Sequence, residues 1–346
     1  MTSNMTLAVV LLAAGHGSRM QSKKQKVLHE VGGKPMVQHV FEAAAAVADL
    51  KPVLVVGPGE EGALRLLGDA ASYVVQKERL GTGHATLAAR DLLRGRAEQV
   101  LVAYGDMPLL RAETFRRLAA TQAEEGAAIA MLTVMGDPDS TFGRVIRDGS
   151  GRVAEIVEVA EAHLREDTEA ILATRELNVG VYCFDAPWLW EQIPNLPLRE
   201  AREGPEYYVT DMVGLAVAQG RAVEAVVVED ADEGLSAGTR EELATVEKAF
   251  RRRANEKWLS AGVTLVDPDA TYIDPDVTIG QDTVIWPNTY VQGTSVVGEE
   301  CMLGPNSIIR DAEIGDGCRV PHAVVENVTL AAGTEVAPFT HLDESS

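Results

Sequence analysis

Cysteine is scarce in this chain: only three occur among 346 residues, and no two form a Cys-x-x-Cys pair. Cys183, Cys301 and Cys318 stand far apart, which predicts reduced thiols rather than a disulfide framework or a zinc site. Cationic side chains are also few, because 31 lysines and arginines face 52 aspartates and glutamates, for a formal net charge of −21. This balance argues against a nucleic-acid partner, which would need a basic face.

Long hydrophobic runs are missing as well. The apolar run at 7–14 is too short to cross a membrane, and residues 1–6 carry no cation that would begin a secretory signal. We therefore expect a cytoplasmic protein with no membrane partner, and we interpret the run as a buried strand. The length of the chain and an apolar fraction of 46% suffice for two domains with a sizeable core.

Up to about residue 230, short β-rich runs alternate with helical stretches. This alternation predicts an α/β fold with a mostly parallel sheet covered on both faces, in which ligands bind at the carboxyl ends of the strands. The predicted strands are 8–12, 53–56, 73–75, 100–103, 128–134, 180–184 and 223–228, and the predicted helices include 36–47, 84–93 and 112–124.

From Ile273 onward, aliphatic residues recur at every sixth position. Seven consecutive positions fit the period: Ile273, Ile279, Ile285, Val291, Val297, Leu303 and Ile309. After a one-residue slip the pattern continues at Ile314 and Val320, and after a second slip at Val324, Leu330 and Val336. The pattern resembles the hexapeptide repeat of the left-handed parallel β-helix, in which each face of a triangular coil takes six residues. A β-sandwich would not sustain this period, and the tail suffices for roughly four coils.

A polar helical segment separates the two patterns. It contains three consecutive arginines at 251–253, which we interpret as a solvated face or intrachain salt bridges rather than a phosphate-binding patch. The sequence thus predicts a Rossmann-like α/β domain at 1–238, a helical linker at 239–264 and a short left-handed β-helix at 265–346.

A glycine-rich turn at 13–18 follows the first apolar run, and Arg19 and Lys26 come after it. Small residues let backbone N–H groups approach phosphate oxygens, and the two cations can make charge-assisted contacts with them. The spacing is neither that of a P-loop nor that of a dinucleotide fingerprint, whose third glycine would stand at Met20. Such turns are common in α/β proteins, but the cations favour a nucleoside triphosphate site.

A carboxylate stands at the end of another predicted strand. Tyr104, Gly105 and Asp106 follow the apolar run 100–103 directly. An aspartate behind a glycine suits Mg²⁺ bound to nucleotide phosphates, because this ion takes carboxylate, water and phosphate oxygens. The alternative is an ordinary Asx turn at a β–α junction.

A third candidate segment contains Gln76, Gly81 and Thr82. A glutamine amide can pair with the donor and acceptor edges of uracil, and the two later residues offer backbone contacts. The alternative is that Thr82 simply caps the helix predicted from His84.

Taken together, these segments resemble the sugar-1-phosphate nucleotidyltransferases, and more narrowly the pyrophosphorylases that make UDP-N-acetylglucosamine. The resemblance implies UTP and N-acetylglucosamine 1-phosphate as substrates, Mg²⁺ as cofactor on Asp106, and Arg19, Lys26 and Asp106 as catalytic residues. It implies nucleotide contacts from Leu12, Ala13, Ala14, Gly15, Lys26, Gln76, Gly81, Thr82, Tyr104, Gly105 and Asp106. It implies sugar-phosphate contacts from Gly143, Glu158 and Asn178.

The sequence departs from the family pattern around the site. Gln25 stands where a proline is usual, Val179 replaces a threonine near the sugar, and no lysine follows Glu158 closely. The asparagine that completes the family's metal site is missing from 233–240. Its place falls on Ser236 when the segments are aligned from the left and on Gly238 from the right. The carboxylates that could substitute are Asp230, Asp232 and Glu233.

Two further functions therefore stay open: transfer to another sugar 1-phosphate from another nucleotide, and non-catalytic binding of a nucleotide sugar as a scaffold. The resemblance also implies a homotrimer assembled through the β-helix. In the resembled bifunctional enzymes, further coils carry the acetyl-CoA site. Because this sequence stops at Ser346, we expect no acetyltransferase activity, and we expect His322 and His341 to be structural.

Overall fold

The computed structural model describes residues 5–15, 17–138, 140–201 and 204–344. The chain divides into two compact units, Met1–His29 with Met36–Glu242, and Glu30–Pro35 with Leu243–Ser346. In the described residues, no helix is both long and apolar enough to cross a membrane.

The strands up to residue 228 are β1 (Leu7–Leu12), β2 (Glu30–Val31), β3 (Lys34–Pro35), β4 (Val53–Val56), β5 (Ser72–Val75), β6 (Gln99–Tyr104), β7 (Ile129–Met135), β8 (Gly143–Arg147), β9 (Val153–Val157), β10 (Glu176–Asp185), β11 (Arg199–Ala201), β12 (Gly204–Glu206) and β13 (Val223–Val228). The helices are α1 (Met36–Ala45), α2 (Gly62–Leu67), α3 (Gly81–Ala88), α4 (Arg90–Leu93), α5 (Ala112–Glu124), α6 (Val159–Ala162), α7 (Thr168–Leu172), α8 (Ala186–Gln192), α9 (Asp211–Ala218) and α10 (Arg240–Ser260).

The first unit is built on a sheet with the strand order β13-β7-β10-β6-β1-β4-β5. Neighbouring strands along this path are parallel, except that β10 is antiparallel to both β6 and β7. Strands β8 and β9 form an antiparallel pair that joins the sheet through β10, and we call this pair the arm. The predicted Rossmann-like domain with a mostly parallel sheet is confirmed, and the arm is an addition that the sequence did not reveal.

Strand β1 lies in the middle of this sheet and is buried along its whole length. Its side chains alternate between two hydrophobic clusters, with Val9 and Leu11 on one face and Val10 and Leu12 on the other. Alternation is the geometry of a strand, and burial on both faces explains why the run is continuously apolar. Both β4 and β6 pair with β1, so the carboxyl ends of all three strands meet at one edge.

Helix boundaries follow the sequence patterns with two differences. Helix α5 matches its prediction, and α1 ends at Ala45, two residues before the predicted end. The single helix predicted at 84–93 is wrong. The structure has two helices in its place: α3 begins earlier, at Gly81, and α4 follows after an interruption at Ala89.

The second unit contains a left-handed parallel β-helix. Its strands are β14 (Thr264–Leu265), β15 (Thr271–Ile273), β16 (Thr278–Ile279), β17 (Val284–Ile285), β18 (Thr289–Gln292), β19 (Val296–Val297), β20 (Met302–Leu303), β21 (Ile308–Arg310), β22 (Glu313–Ile314), β23 (Arg319–Val320), β24 (Val324–Glu326), β25 (Thr329–Leu330) and β26 (His341–Leu342). They form three parallel sheets, β14-β17-β20-β23, β15-β18-β21-β24-β26 and β16-β19-β22-β25. The predicted β-helix is confirmed.

One core position of the β-helix differs from the prediction. Val325, not Val324, is the fully buried residue of β24, and it pairs with Ile309 of the preceding coil. The buried positions therefore advance by five residues from Val320 to Val325, and by five again from Val325 to Leu330. Because two valines stand side by side, the hydrophobic pattern alone could not distinguish them.

The helical connector predicted after residue 238 contains α10, and the boundary between the two units falls inside this helix. In the second unit, the hairpin β2–β3 contacts this helix. The backbone N–H of Gly32 donates to Glu247 at 2.8 Å. One arginine of the basic triplet, Arg251, lies over the ring of Tyr272 at 4.7 Å, and Arg252 pairs with Glu256 at 3.7 Å. The triplet thus makes contacts within the chain.

Candidate active site

Two neighbouring cavities open at the carboxyl ends of β1 and β6. The turn cavity, of about 390 Å³, is bordered by the turn at 13–15 after β1. The arm cavity, of about 510 Å³, is bordered by β8 and β10. Four residues line both cavities: Lys26, Thr82, Tyr104 and Asp106. The two spaces therefore meet at these side chains.

Lys26 and Asp106 form an ion pair at this junction. The Nζ atom of Lys26 is 2.6 Å from Oδ2 of Asp106, and Asp106 is only 8% exposed. Asp106 follows β6, whereas Lys26 begins a short 3-10 helix after the turn. Gly17 has a left-handed φ of +62°, and a Cβ atom there would be 2.6 Å from Cβ of Lys26. The glycine therefore allows the loop to close on the lysine.

The turn cavity collects most of the predicted nucleotide residues. Its lining includes Leu12, Ala13, Ala14, Gly15, Lys26, Gln76, Gly81, Thr82, Tyr104 and Asp106. Gly105 does not line it but lies directly behind, where its N–H donates to the carbonyl of Leu12 at 3.0 Å. His16, in the predicted turn, lies outside the described residues.

Arg19 stands apart from the other predicted catalytic residues. It is exposed in the short 3-10 helix Ser18–Met20 and lines neither cavity. Its guanidinium lies beside Gly238, where a Cβ atom would come within 2.7 Å of Nη2. Its catalytic role stays a prediction.

The candidate base-binding segment is held by its own hydrogen bonds. The Nε2 atom of Gln76 donates to the carbonyl of Gly81 at 3.0 Å and is 3.1 Å from Nδ1 of His84. Gly81 has a φ of +88°, and a Cβ atom there would be 2.6 Å from the carbonyl oxygen of Tyr207. Thr82 does not cap the helix, because α3 already begins at Gly81; its hydroxyl accepts from the N–H of Val209 at 3.0 Å.

The three predicted sugar-phosphate residues come together on the arm and on β10. Gly143 of β8 pairs directly with Asn178 of β10, and a Cβ atom on Gly143 would be 3.0 Å from Oε1 of Glu158. The Oδ1 atom of Asn178 accepts from the N–H of Gly180 at 3.2 Å and from the hydroxyl of Tyr182 at 3.0 Å. These bonds fix the amide group at a bulge in β10.

Tyr104 forms the wall between the two cavities. Gly180 has a φ of +82°, and a Cβ atom there would be 2.5 Å from the ring of Tyr104, so only glycine permits this approach. Burial raises the pKa of Tyr104 far above its usual range; the Thr82 hydrogen bond opposes this, whereas the charges of Asp106 and Glu158 add to it. The hydroxyl therefore stays protonated and can donate a hydrogen bond.

Glu158 is a titratable group of the arm cavity whose pKa is shifted by its surroundings. Partial burial raises the pKa of its carboxyl first, and the nearby charges of Glu161 and Asp211 raise it further. Arg144 and Arg199 act in the opposite direction. The carboxylate thus stands in an acidic environment that two arginines partly compensate.

Of the residues considered for the missing asparagine, Ser236 lines the arm cavity together with Asp106. Glu233 is buried and accepts from the N–H of Arg111 at 3.1 Å and from the hydroxyl of Thr114 at 2.6 Å. Asp230 accepts from Arg111 at 2.5 Å. These two carboxylates hold the start of α5, and neither they nor Asp232 and Gly238 line the turn cavity or the arm cavity.

Sequence reasoning missed several lining residues. Arg79 borders the turn cavity, where its Nε atom donates to the carbonyl of Ala14 at 2.8 Å and its Nη2 atom pairs with Glu60 at 2.9 Å. Its place between Gln76 and Gly81 was the available signal. Tyr208 and Thr210 also border the arm cavity.

Two models of known protein families match the chain. Residues 9–189 match the model of the MobA-like NTP transferase domain, and residues 276–311 match the bacterial transferase hexapeptide model of six repeats. The first match covers more than half of the chain and defines the class of protein: a nucleotidyltransferase.

Relatives of known identity narrow the class to a family. The chain is 40% identical to the bifunctional protein GlmU of Exiguobacterium sibiricum, over 97% of this chain and 74% of that protein. It is 39% identical to GlmU of Shouchella clausii, over 97% and 73%, and 41% identical to GlmU of Caldanaerobacter subterraneus subsp. tengcongensis, over 98% and 72%. The chain belongs to the GlmU family.

Proposed function

We propose that the chain transfers the uridylyl group of UTP to N-acetylglucosamine 1-phosphate, forming UDP-N-acetylglucosamine and pyrophosphate. The observation that carries this proposal is the meeting of two cavities at the Lys26–Asp106 pair, one lined by a backbone turn and the other by polar groups of the arm. A reaction that joins a nucleotide to a second phosphate needs two such spaces that share one wall.

The turn cavity suits the nucleotide. The backbone at 13–15 can approach a phosphate closely because Ala13, Ala14 and Gly15 have small side chains or none. The Gln76 amide is fixed by two hydrogen bonds, so its carbonyl oxygen can accept from a uracil N–H. Arg79 holds the carbonyl of Ala14, which keeps the turn in place.

The arm cavity suits the sugar phosphate. Gly143 leaves room beside the Glu158 carboxylate, which can accept hydrogen bonds from sugar hydroxyls. Asn178 offers its NH₂ group as a donor, because its oxygen already accepts two bonds. Val179 also lines this cavity, so other sugar phosphates belong in any substrate test.

In the proposed reaction, an oxygen of the sugar phosphate attacks the α-phosphorus of UTP. A new P–O bond forms while the bond from the α-phosphorus to the bridging oxygen breaks, and its electron pair leaves with pyrophosphate. Lys26 lies where it can neutralise the charge that grows on the leaving group. The other residues contribute by positioning the two phosphates for in-line attack.

The donor set around Asp106 fits an Mg²⁺ ion that binds together with the nucleotide. Asp106 supplies one carboxylate and Ser236 one hydroxyl, and among the described residues no group of three His, Cys, Asp or Glu side chains could hold a metal by itself. Magnesium is commonly held by one or two carboxylates, with phosphate oxygens and water completing its shell. When bound, the ion would neutralise phosphate charge and orient both phosphates.

The proposal is tested by measuring pyrophosphate release with Mg²⁺ across a matrix of nucleoside triphosphates and sugar 1-phosphates. We expect the strongest turnover with UTP and N-acetylglucosamine 1-phosphate. Turnover confined to another pair would contradict the proposed substrates. No turnover with any pair, while UTP still binds, would favour a scaffold instead.

A further inference from the structure

A third cavity, of about 430 Å³, opens beside the arm cavity. The two cavities share Glu158, Tyr208 and Thr210, so they form one continuous wall. The remainder of the third cavity is strongly charged, and its charged groups include Glu161, Arg199, Glu200 and Asp211.

Arg199 bridges two of these carboxylates. Its Nε and Nη2 atoms donate to Asp211 at 2.8 and 2.6 Å, and its Nη1 atom donates to Glu161 at 2.5 Å. The two acids stand on different elements, α9 and α6, and Arg199 reaches both from β11. The run 159–162 that follows Glu158 contains no cation of its own, so Arg199 supplies a positive charge that this segment lacks.

The charges of Glu161 and Asp211 raise the pKa of the Glu158 carboxyl, and those of Arg144 and Arg199 lower it. Arg144 is engaged elsewhere, since its guanidinium donates to the backbone carbonyls of Phe142 and Pro138. Arg199 is therefore the cation that directly pairs with the two acids beside Glu158. Without it, the four carboxylates of the third cavity (Glu158, Glu161, Glu200 and Asp211) would have no lining cation among them, directly beside the arm cavity proposed to bind a doubly charged sugar phosphate.

We propose that Arg199 is a positioning residue for the sugar-phosphate site, and that its bridge to Glu161 and Asp211 lowers the repulsion between this wall and an anionic sugar 1-phosphate. This inference rests on the proposed function. It assigns Arg199 to binding of the sugar phosphate and not to the nucleotide or to the chemical step.

The test compares Arg199→Gln with Arg165→Gln in the full-length chain. Arg165 is a matched control, because it also bridges two carboxylates, Glu155 and Asp167, and lines none of the three cavities. For Arg199→Gln, we expect the KM for N-acetylglucosamine 1-phosphate to rise about five- to tenfold. The kcat and the KM for UTP should each stay within about twofold, and Arg165→Gln should leave all three unchanged.

Two further measurements separate charge from structure. Added salt should reduce the KM defect of Arg199→Gln, because ions screen repulsion between exposed charges. Combining Arg199→Gln with Glu161→Gln removes one charge of each sign, so this double variant should recover most of the lost affinity. If Arg199→Gln does not fold, the single variant Glu161→Gln decides instead: it removes one negative charge from the wall while Arg199 remains, so its KM for N-acetylglucosamine 1-phosphate should fall, and an unchanged KM would contradict the proposal.

An unchanged KM in Arg199→Gln, an equal rise in Arg165→Gln, or a double variant as defective as the single one would each overturn this role. These results concern Arg199 only. The proposed function fails separately, when the unaltered chain shows no transfer to N-acetylglucosamine 1-phosphate.

Discussion

Lys26 and Asp106 are 80 positions apart in the sequence, yet the Nζ of the lysine lies 2.6 Å from Oδ2 of the aspartate. Each residue follows the carboxyl end of a different parallel strand, β1 or β6, and the register of these strands brings both ends to one edge. The pair stands where the turn cavity meets the arm cavity. The site therefore depends on sheet topology more than on any single motif.

Removal of either partner should abolish most of the activity. We expect Lys26→Ala and Asp106→Ala each to lower kcat by about 10²–10³-fold, because each would remove charge neutralisation from the reacting phosphates. Circular dichroism should show that both variants fold. Arg116→Ala, which removes an exposed ion pair and lines neither cavity, is the control and should retain its rate. Near-normal turnover in either site variant would exclude that residue from catalysis.

Sugar-phosphate binding should depend on the ionisation of Glu158. Burial and the charges of Glu161 and Asp211 raise the pKa of this carboxyl. As the pH falls, the carboxylate takes up its proton earlier than an ordinary glutamate would, and it then loses its capacity as an acceptor. We expect kcat/KM for the sugar phosphate to fall on this acid side. Glu158→Gln should lack this limb and keep only the titration of the substrate, so an identical pH profile in both proteins would disprove the role.

Ser236 should limit the affinity for magnesium. A hydroxyl is shorter than the carboxamide of asparagine, so we expect Ser236→Asn to lower the Mg²⁺ concentration for half-maximal rate by about three- to tenfold. Gly238→Asn is the control, because Gly238 lines neither cavity and a side chain there would contact Arg19 instead. An unchanged magnesium requirement in Ser236→Asn, or an equal gain in Gly238→Asn, would show that Ser236 does not occupy the ligand position.

The core of the β-helix gives a test of the corrected repeat. Val325 is fully buried, whereas Val324 is only half-buried. Val325→Ala should therefore lower the free energy of unfolding by about 1.5–3 kcal/mol, from lost burial and the cavity left behind. Val324→Ala should lower the free energy of unfolding by clearly less. Denaturant unfolding of both variants measures the difference, and equal losses would contradict the buried register.

The β-helix should also assemble the chain into a trimer. Its three parallel sheets present flat outer faces, and the last described coil leaves an open edge. Uncovered sheet edges favour association with another chain. Light scattering on the purified chain should give three times the mass of 37.1 kDa. A mass of one chain at micromolar concentration would rule out a stable trimer.

Local patterns predicted those parts of the fold in which one physical constraint dominates. The continuous apolar run of β1 indicated a strand buried on both faces, and the period of six indicated a coil with one inward residue per face. The arm was not predicted, because β8 and β9 are only partly buried and contain charged residues in place of a continuous apolar run. Val325 was missed because its neighbour is equally apolar.

The candidate site could be predicted where a residue type follows a strand end, as Asp106 does. It could not be predicted where a side chain reaches the cavity through tertiary contacts. Arg79 reaches Ala14 across 65 positions, and Arg199 reaches Glu161 across 38. Nothing in the local sequence specifies these partners, because long cationic side chains can pair with many acids.

The most direct test of uridylyl transfer follows the α-phosphate of UTP. The unaltered chain is incubated with α-labelled UTP, N-acetylglucosamine 1-phosphate and Mg²⁺, and the labelled products are separated. We expect the label to appear in UDP-N-acetylglucosamine, with one pyrophosphate released for each molecule formed. Label found in UMP, or retained entirely in UTP, would contradict transfer between the two cavities.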